Sequence, residues 1–588
     1  MQLATLDWIL IGSFFAIFLI IGILVAKRSG KNTQEFFLSG RNMPWWLLGI
    51  SMVATTFSAD TPNLVTDIVR QNGVSGNWVW WTFLITGMLT VFVYAKLWRR
   101  SKVLTDLQFY EMRYSGKAAA FLRGFRALYL GVFFNVMIMA SVCLAAIKIG
   151  GILFNLEPWE CVLYASLITV AYSSFGGLRG VIFTDFLQFI VAMVGSVWAA
   201  YYIINMPEIG GLDKLLTHEN VADKLNFLPD FNDTNSLLVL LIIPIAVQWW
   251  SVWYPGAEPG GGGYIAQRML SAKDEKNAIG ATLLFNVAHY ALRPWPWILI
   301  ALASLVLYPN LADIGNEFPN AVLGHDLGYP AMLTNLPSGL LGLVVASLIA
   351  AFMSTISTHL NWGSSYISLD FYKRFVKPTA SEKELVGVGR ISTVVLMALS
   401  ALLALALSSA LSTFAILLQI GAGTGLIFIL RWFWWRVNAY SEITGMLVSF
   451  VMALFFEFTE FGLEDYEKLV LGVAITTIAW IVVTLVTRPT STKTLASFYN
   501  AVTPYGNGWK PFKKIASQQN IPLQQTNDVF TIDLASMLLG IVFVYTSLFA
   551  TGYLIYGNMT GAAILIAIAA VSAFTIFSLW KKRKTSKI

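Results

Sequence analysis

Ala54-Thr55-Thr56-Phe57-Ser58-Ala59-Asp60-Thr61-Pro62 stands in the middle of an otherwise apolar run covering residues 44–70. A helix that crosses a bilayer must satisfy its own backbone hydrogen bonds. Here hydroxyls cluster instead, and Pro62 removes a donor, clashes with the preceding turn and biases Thr61 away from helical angles. The stretch reads as a break that leaves carbonyls free near the membrane centre, and such a break survives only where it lines a cavity. On the residues alone two readings stand level: a proline kink solvated by its own Ser and Thr hydroxyls, or an ion site built from the freed carbonyls.

Working outward, the same chemistry of long apolar runs recurs along the chain. Of its 588 residues 57% are hydrophobic and 12% charged, against roughly 45–50% and about 25% in soluble domains. A soluble fold is excluded. Runs near the ~20 residues needed to span hydrocarbon sit at 6–27, 44–70, 75–98, 124–153, 158–175, 180–204, 236–254, 277–308, 336–363, 388–409, 412–435, 440–458, 467–487, 531–556 and 559–580, about fifteen spans in one all-α integral membrane domain over 1–588. They are too long for barrel strands of ~10 residues.

Cytoplasmic loops carry excess Lys and Arg, and basic residues fill every second loop. They are Lys27, Arg28, Lys31 and Arg41; Lys96, Arg99, Arg100, Lys102 and Arg113; Arg268, Lys273 and Lys276; Lys373, Arg374 and Lys377; Arg431 and Arg436; and Lys581 to Lys584. The loops at 205–235 and 456–466 are acidic. An odd span count with this alternation predicts the N-terminus outside and the C-terminus inside. Asp7 stands where a signal peptide would be basic, so the first span is expected to remain uncleaved. The net charge of +7 reports topology, with no groove-lining basic set for nucleic acid. Cys143 and Cys161 lie in apolar segments as spectator thiols. The long loops 205–235 and 488–530 read as connecting segments.

A second polar cluster, Ala350-Ala351-Phe352-Met353-Ser354-Thr355-Ile356-Ser357-Thr358, lies in the span starting at 336. The hydroxyls of Ser354 and Thr355 and the carbonyl of Ala351, one turn earlier, can converge on one point, and neutral oxygens suit a monovalent hard cation that must leave again. Small-residue helix packing explains the same composition and stands ahead of an ion site until another observation is added.

That observation is a resemblance. Leu336-Pro337-Ser338-Gly339-Leu340-Leu341-Gly342-Leu343, continuing to Asn361 and Asp370-Phe371-Tyr372, is similar to the sodium:solute symporter family, which includes the sodium/glucose cotransporters. Phe175-Gly176-Gly177-Leu178-Arg179-Gly180 with Thr184-Asp185-Phe186-Leu187-Gln188, Tyr264-Ile265-Ala266-Gln267-Arg268, and Ser58-Ala59-Asp60 agree with it, covering about residues 6–460. The resemblance implies a leucine-transporter-like core of two inverted five-helix repeats. These would occupy 44–204 and 236–435, after an extra helix at 6–27 and before peripheral helices at 440–588. It further implies a sodium ion held by the carbonyls of Ala54, Phe57 and Ala351 and the hydroxyls of Ser354 and Thr355. Asp185 would bind or relay a second sodium, or act as a structural anchor.

For the solute, the resemblance points to Asp60, Thr61 and Trp80. Sugar-carrying relatives have Gln after the Ser-Ala-acid motif, where Thr61 stands, and Glu at the place of Trp80. Trp249, Trp250 and Trp253 supply an aromatic wall able to stack on a ring or attract a cation, and Trp is equally a marker of membrane interfaces. His289 falls where sugar carriers place a substrate-binding Lys. Arg293, four residues on, needs an acid: Asp60, Asp67, or the carboxylate of a solute. Gln419 is a further polar candidate. The glycine run Gly260-Gly261-Gly262-Gly263 lacks the Lys and Ser/Thr of a phosphate loop and reads as a hinge or gate.

The expectation is a multi-pass sodium-coupled importer of a small polar organic solute in the plasma or inner membrane, sugar or sugar acid favoured, with sodium and the bilayer as its partners and no obligate protein partner evident. Amino-acid, carboxylate or quaternary-amine cargo, a solute sensor and a passive channel are the alternatives. An enzyme is disfavoured, since the chain has no metal cluster, nucleophile motif or paired carboxylates.

Overall fold

The computed structural model describes residues 3–29, 38–103, 105–173, 178–251, 258–459, 462–525 and 528–585. Lys31, Phe175, Gly176, Gly177 and Trp253 lie outside the described residues. The architecture is helical from end to end. In chain order the principal elements are α1 (Thr5–Ser29), α2 (Trp45–Thr55), α3 (Asp60–Asn72), α4 (Val74–Ser101), α5 (Gly116–Phe154), α6 (Pro158–Ser173), α7 (Leu178–Ile204), α8 (Thr234–Ala246), α9 (Gly263–Ser271), α10 (Glu275–Leu307), α11 (Leu340–Val376), α12 (Glu382–Ala404), α13 (Ala410–Phe433), α14 (Ala439–Phe458), α15 (Asp465–Val486), α16 (Thr492–Val502), α17 (Lys510–Gln518), α18 (Phe530–Ile555) and α19 (Met559–Thr585). Among the described residues 10 helices are long and apolar enough to cross a membrane. Thr5–Ile17, Trp45–Thr55, Thr234–Ala246 and Leu417–Phe433 are shorter apolar helices.

The predicted break is present but displaced. Helix α2 ends at Thr55, Thr56–Ala59 is non-helical, and Pro62 sits in the first turn of α3. Proline is tolerated there because first-turn N–H groups have no intrahelical acceptor. Thr61 is accordingly helical, a correction to the expectation that Pro62 would push it out of the helix. The non-helical residues lie N-terminal to the proline, and the Thr61 hydroxyl accepts from the Ser58 N–H at 3.4 Å. A second interruption separates α8 from α9, where Gly260 and Gly261 take φ of 93° and 81°.

Burial divides the helices. The most apolar windows of α4, α10 and α11 are 83%, 83% and 89% buried, whereas those of α15, α18 and α19 are 28%, 33% and 22% buried. The first set forms the core and the second faces outward. Helix α1 packs Ile11 and Phe14 into the core, and its buried Asp7 accepts from the Gly339 and Gly342 N–H groups at 2.7 and 2.8 Å. It thereby caps α11, whose own preceding residue Gly339 offers no side chain. The loop 488–530 holds more structure than its Pro and Gly content suggested. Its α16 and the start of α17 bury Phe498 and Trp509, and the Trp509 indole donates to the Trp432 carbonyl at 2.8 Å.

Candidate functional site

Four elements meet at the break. Asp185 on α7 is fully buried and accepts from the Ser51 hydroxyl at 2.6 Å and the Thr55 hydroxyl at 3.4 Å, both on α2. Its other oxygen accepts from the Ser354 hydroxyl on α11 at 2.9 Å. One carboxylate therefore ties the last turn of α2 to the polar cluster of α11. Arg268 of α9 closes the group, 3.3 Å from Asp185 and donating to Thr55 Oγ1 at 2.7 Å and to Ser51 Oγ at 2.9 Å. A buried acid and a buried guanidinium thus compensate each other's desolvation.

Beside this group the Thr355 hydroxyl is buried without a hydrogen-bond partner. An orphaned hydroxyl costs about 1–3 kcal/mol, so its persistence asks for a ligand. The donor set is hard and mostly neutral: the Thr355 and Ser354 hydroxyls and the backbone at the end of α2, where Ala54 still accepts from the Phe57 N–H at 3.1 Å. That set suits sodium. Gln188, in the same sequence motif as Asp185, donates to the Ala350 carbonyl and holds α11 against α7.

One turn toward α3 lies a cavity of about 70 Å³ lined by Thr56, Ser58, Asp60, Thr61, Leu64, Val65, Trp80, Ile138, Ser141, His289, Arg293, Phe414 and Leu417. It unites Asp60, Thr61, Trp80, His289 and Arg293, which the sequence separates by more than two hundred positions. The π-helical turn Ala288–Leu292 sets the register, with the Arg293 N–H bonded to the Ala288 carbonyl at 3.0 Å. Such widened turns often mark functional sites. His289 Nδ1 lies 3.2 Å from the Thr56 hydroxyl, and Trp80 stands edge-on to the His289 ring with centroids 5.7 Å apart. Arg293 donates to the Val53 carbonyl at 3.3 Å and the Thr56 hydroxyl at 3.2 Å, a cation at the negative end of α2. Asp60 shares the cavity with Arg293, while Asp67 turns away to Gln71 at 2.5 Å.

Trp249 and Trp250 do not line this cavity. The Trp249 carbonyl accepts from Thr86 at 2.5 Å, and Trp250 packs against Ala422, Leu469 and Val473. Gln419, with a buried amide nitrogen lacking a partner, is likewise absent from the lining. Sequence reasoning missed Ser141, Phe414 and Leu417, which nothing in the local pattern distinguishes. It also read Arg268 as a topological charge and as part of the Tyr264–Arg268 motif, without assigning it to the site, although its place in an amphipathic nine-residue helix four positions after Tyr264 was a signal of burial.

Further buried ion pairs lie outside the cavity lining. Lys148 near the end of α5 meets Asp326 at 2.5 Å and the Ser408 carbonyl at 2.8 Å. Glu258, just before the glycine run, pairs with Arg126 and with Arg431 at 3.4 Å, and Glu442 accepts from Tyr114 at 2.5 Å. The Trp98 indole donates to the Gly260 carbonyl at 2.6 Å, so the glycine run is clamped inside the protein. Several basic residues used to orient the chain, Lys96, Arg113, Arg268 and Arg431 among them, are buried.

The family model for the sodium:solute symporter family matches residues 36–449. The chain belongs to the sodium:solute symporter family. It is 24% identical over 485 residues to a sodium/glucose cotransporter of Vibrio parahaemolyticus, covering 79% of this chain and 88% of that one. It is 26% identical over 475 residues to a sodium/sialic acid symporter of Proteus mirabilis (strain HI4320), covering 76% and 89%. Its fold matches the solved substrate-bound, outward-open Na+-coupled sialic acid symporter, described with a novel Na+ site, at a TM-score of 0.65 and 22% identity over 83% of this chain and 99% of that one. This symporter-family member is a multi-pass membrane transporter and not an enzyme.

Proposed function

We propose that this symporter imports a small polar organic solute, a sugar or sugar acid, together with sodium across the plasma or inner membrane by alternating access. The observation that carries the reading is the orphaned Thr355 hydroxyl beside the Asp185 bridge between α2 and α11. Sodium would bind the carbonyls of Ala54, Phe57 and Ala351 and the hydroxyls of Ser354 and Thr355. The solute would occupy the adjoining cavity, between Asp60, Thr61 and Trp80 on one side and His289 and Arg293 on the other. The glucose and sialic acid cargoes of the relatives support a sugar class, and Arg293 favours its acids. Asp185 would serve a second sodium or relay only by sharing its charge with Arg268.

The element order supports a core of two inverted five-helix repeats. The broken helix α2/α3 opens 44–204 and the interrupted α8/α9 opens 236–435, with α1 outside the repeats and α14–α19 around them. In this reading there are fifteen spans, N-terminus outside and C-terminus inside. Sodium at the break orders the wall of the solute cavity, so each ligand tightens the other by the same factor. A potential of ~100 mV supplies about 2.3 kcal/mol per charge and a tenfold sodium gradient about 1.4 kcal/mol, enough for one ion to concentrate a neutral solute several hundredfold.

Thermal unfolding of the purified protein against a panel of sugars, sugar acids, amino acids and quaternary amines, in sodium and in potassium, tests this. A sodium-dependent shift with sugars or sugar acids is expected. Identical curves in the two salts would refute sodium coupling.

A further inference from the structure

A groove of about 470 Å³ lies on the outer face of the core, away from the solute cavity, between the start of α2, the first half of α10 and α18. Its walls are Trp45, Gly280, Leu283, Leu284, Val287 and Phe543, and Lys276 and Asn277 stand at one end. Helix α2 is held here closely: the Trp45 N–H donates to Asn277 Oδ1 at 2.9 Å, and a Cβ on Gly49 would fall 2.8 Å from the Ala281 carbonyl.

The polar end carries an excess of positive charge, with Asp274 the carboxylate beside Lys276. Met43 pairs through its backbone with Ala272, which brings Arg41, Arg99, Lys102, Lys273 and Lys276 to one rim. Arg41 donates to the Lys102 and Val103 carbonyls and Arg99 to the Ala272 and Lys273 carbonyls, so both satisfy hydrogen bonds without meeting an acid. Burial and neighbouring Arg99 hold the Arg41 guanidinium below its usual range. Asp274 caps α10 through Asn277, and Glu275 is engaged by Arg100. Among the described residues no carboxylate pairs with Arg41, Arg99, Lys273 or Lys276.

An apolar channel running along the helices from a basic rim fits a molecule with a long hydrocarbon chain and an anionic head. We propose that this groove binds an anionic phospholipid of the cytoplasmic leaflet, its phosphate at Lys273 and Lys276 and one acyl chain along Leu284, Val287 and Phe543. Placement in that leaflet rests on the orientation given under Proposed function. Basic pockets between spans on this side are the usual receptors for such headgroups. Because α2 forms one wall and carries Ala54 in its last turn, the lipid opposes separation of α2 from α10.

The test uses the full-length protein, delipidated in detergent and titrated with phosphatidylglycerol or with phosphatidylcholine of the same chains, read by thermal unfolding. Phosphatidylglycerol should raise the midpoint more than phosphatidylcholine. Lys273→Gln/Lys276→Gln should weaken its half-saturation about thirtyfold. Lys510→Gln/Lys514→Gln, which removes the same charge from α17, should leave it unchanged. Equal shifts with both lipids, or a phosphatidylglycerol excess surviving in the Lys273/Lys276 variant, overturns the proposal. Labelling of Lys276→Cys by an impermeant maleimide in intact cells separates the two failures. Labelling from outside refutes the orientation and with it the cytoplasmic leaflet, whereas loss of lipid preference in an unlabelled protein refutes the site alone.

Discussion

Thr355→Val replaces a hydroxyl by a methyl of nearly the same size, so it tests the sodium site without opening a cavity. The Thr355 hydroxyl is buried and has no hydrogen-bond partner within the protein. Its removal relieves a desolvation cost of about 1–3 kcal/mol, and the variant should unfold at the same or a higher temperature in potassium. In sodium the sign reverses. A contact between a hydroxyl and a full charge is worth roughly 1.5–3 kcal/mol; its loss at about 2 kcal/mol weakens sodium binding about thirtyfold. At a sodium concentration one hundred times the wild-type Kd the ion stabilises by about 2.7 kcal/mol, and a thirtyfold weaker Kd leaves about 0.9. Thr358→Val is the control, since that hydroxyl is also buried without a partner. It should reproduce the potassium result and keep the full sodium response. The assay is the unfolding midpoint against sodium concentration at constant ionic strength. A Thr355→Val curve with the wild-type sodium midpoint refutes the assignment of this hydroxyl as a ligand.

Arg293→Gln removes the cation of the solute cavity, so stabilisation by acidic sugars should vanish while neutral sugars retain theirs, as a solute panel in sodium would show. Asp185→Asn leaves the Arg268 charge buried without its acid and should cost about 3–5 kcal/mol; Asp185→Asn with Arg268→Gln should recover most of that in denaturation experiments. Lys148→Met alone should destabilise by a similar amount, because Asp326 is 1% exposed, whereas Lys148→Met/Asp326→Leu should be near neutral. Burial would raise the Glu111 carboxyl, but hydrogen bonds from Arg374 and Arg123 outweigh it and hold the group below its usual range. Its contribution should be complete at neutral pH and disappear only as pH falls below about 4.5, absent in Glu111→Gln across a pH series of unfolding midpoints.

What the sequence disclosed followed from the membrane's own constraints. Hydrocarbon forbids unsatisfied backbone, so the hydroxyls and proline at 54–62 announced a break, and the structure moved it only a few residues, to Thr56–Ala59. Charges are costly at depth, so Asp185, His289 and Arg293 stood out and are found at the break or the cavity. Trp249 and Trp250 misdirected because aromatic side chains are cheap anywhere in a membrane protein, and Trp250 serves packing against α13 and α15. Ser141, Phe414 and Leu417 were invisible for the complementary reason: a serine or an aliphatic residue in a span carries no cost that demands explanation. The fold of 488–530 was equally hidden, since short polar helices acquire stability from the aromatic surface they cover and not from their own periodicity.

The pairing of Asp185 with Arg268 bears on how an ion could bind here and still leave. A lone buried carboxylate about 4 Å from sodium would attract it by roughly 4 kcal/mol even at an effective dielectric constant of 20, which slows release by nearly three orders of magnitude. With Arg268 3.3 Å from the same carboxylate, the pocket presents nearly zero net charge, and affinity falls to the carbonyl and hydroxyl dipoles. Those dipoles belong to two elements, the end of α2 and the middle of α11, which Asp185 bridges. Sodium therefore adds a second bond across the same joint. Separation of α2 from α11 disperses its ligands at once, without stripping the ion from an acid. In the proposed sodium site, Arg268 would thus let the ion bind from a dilute side and leave on the other.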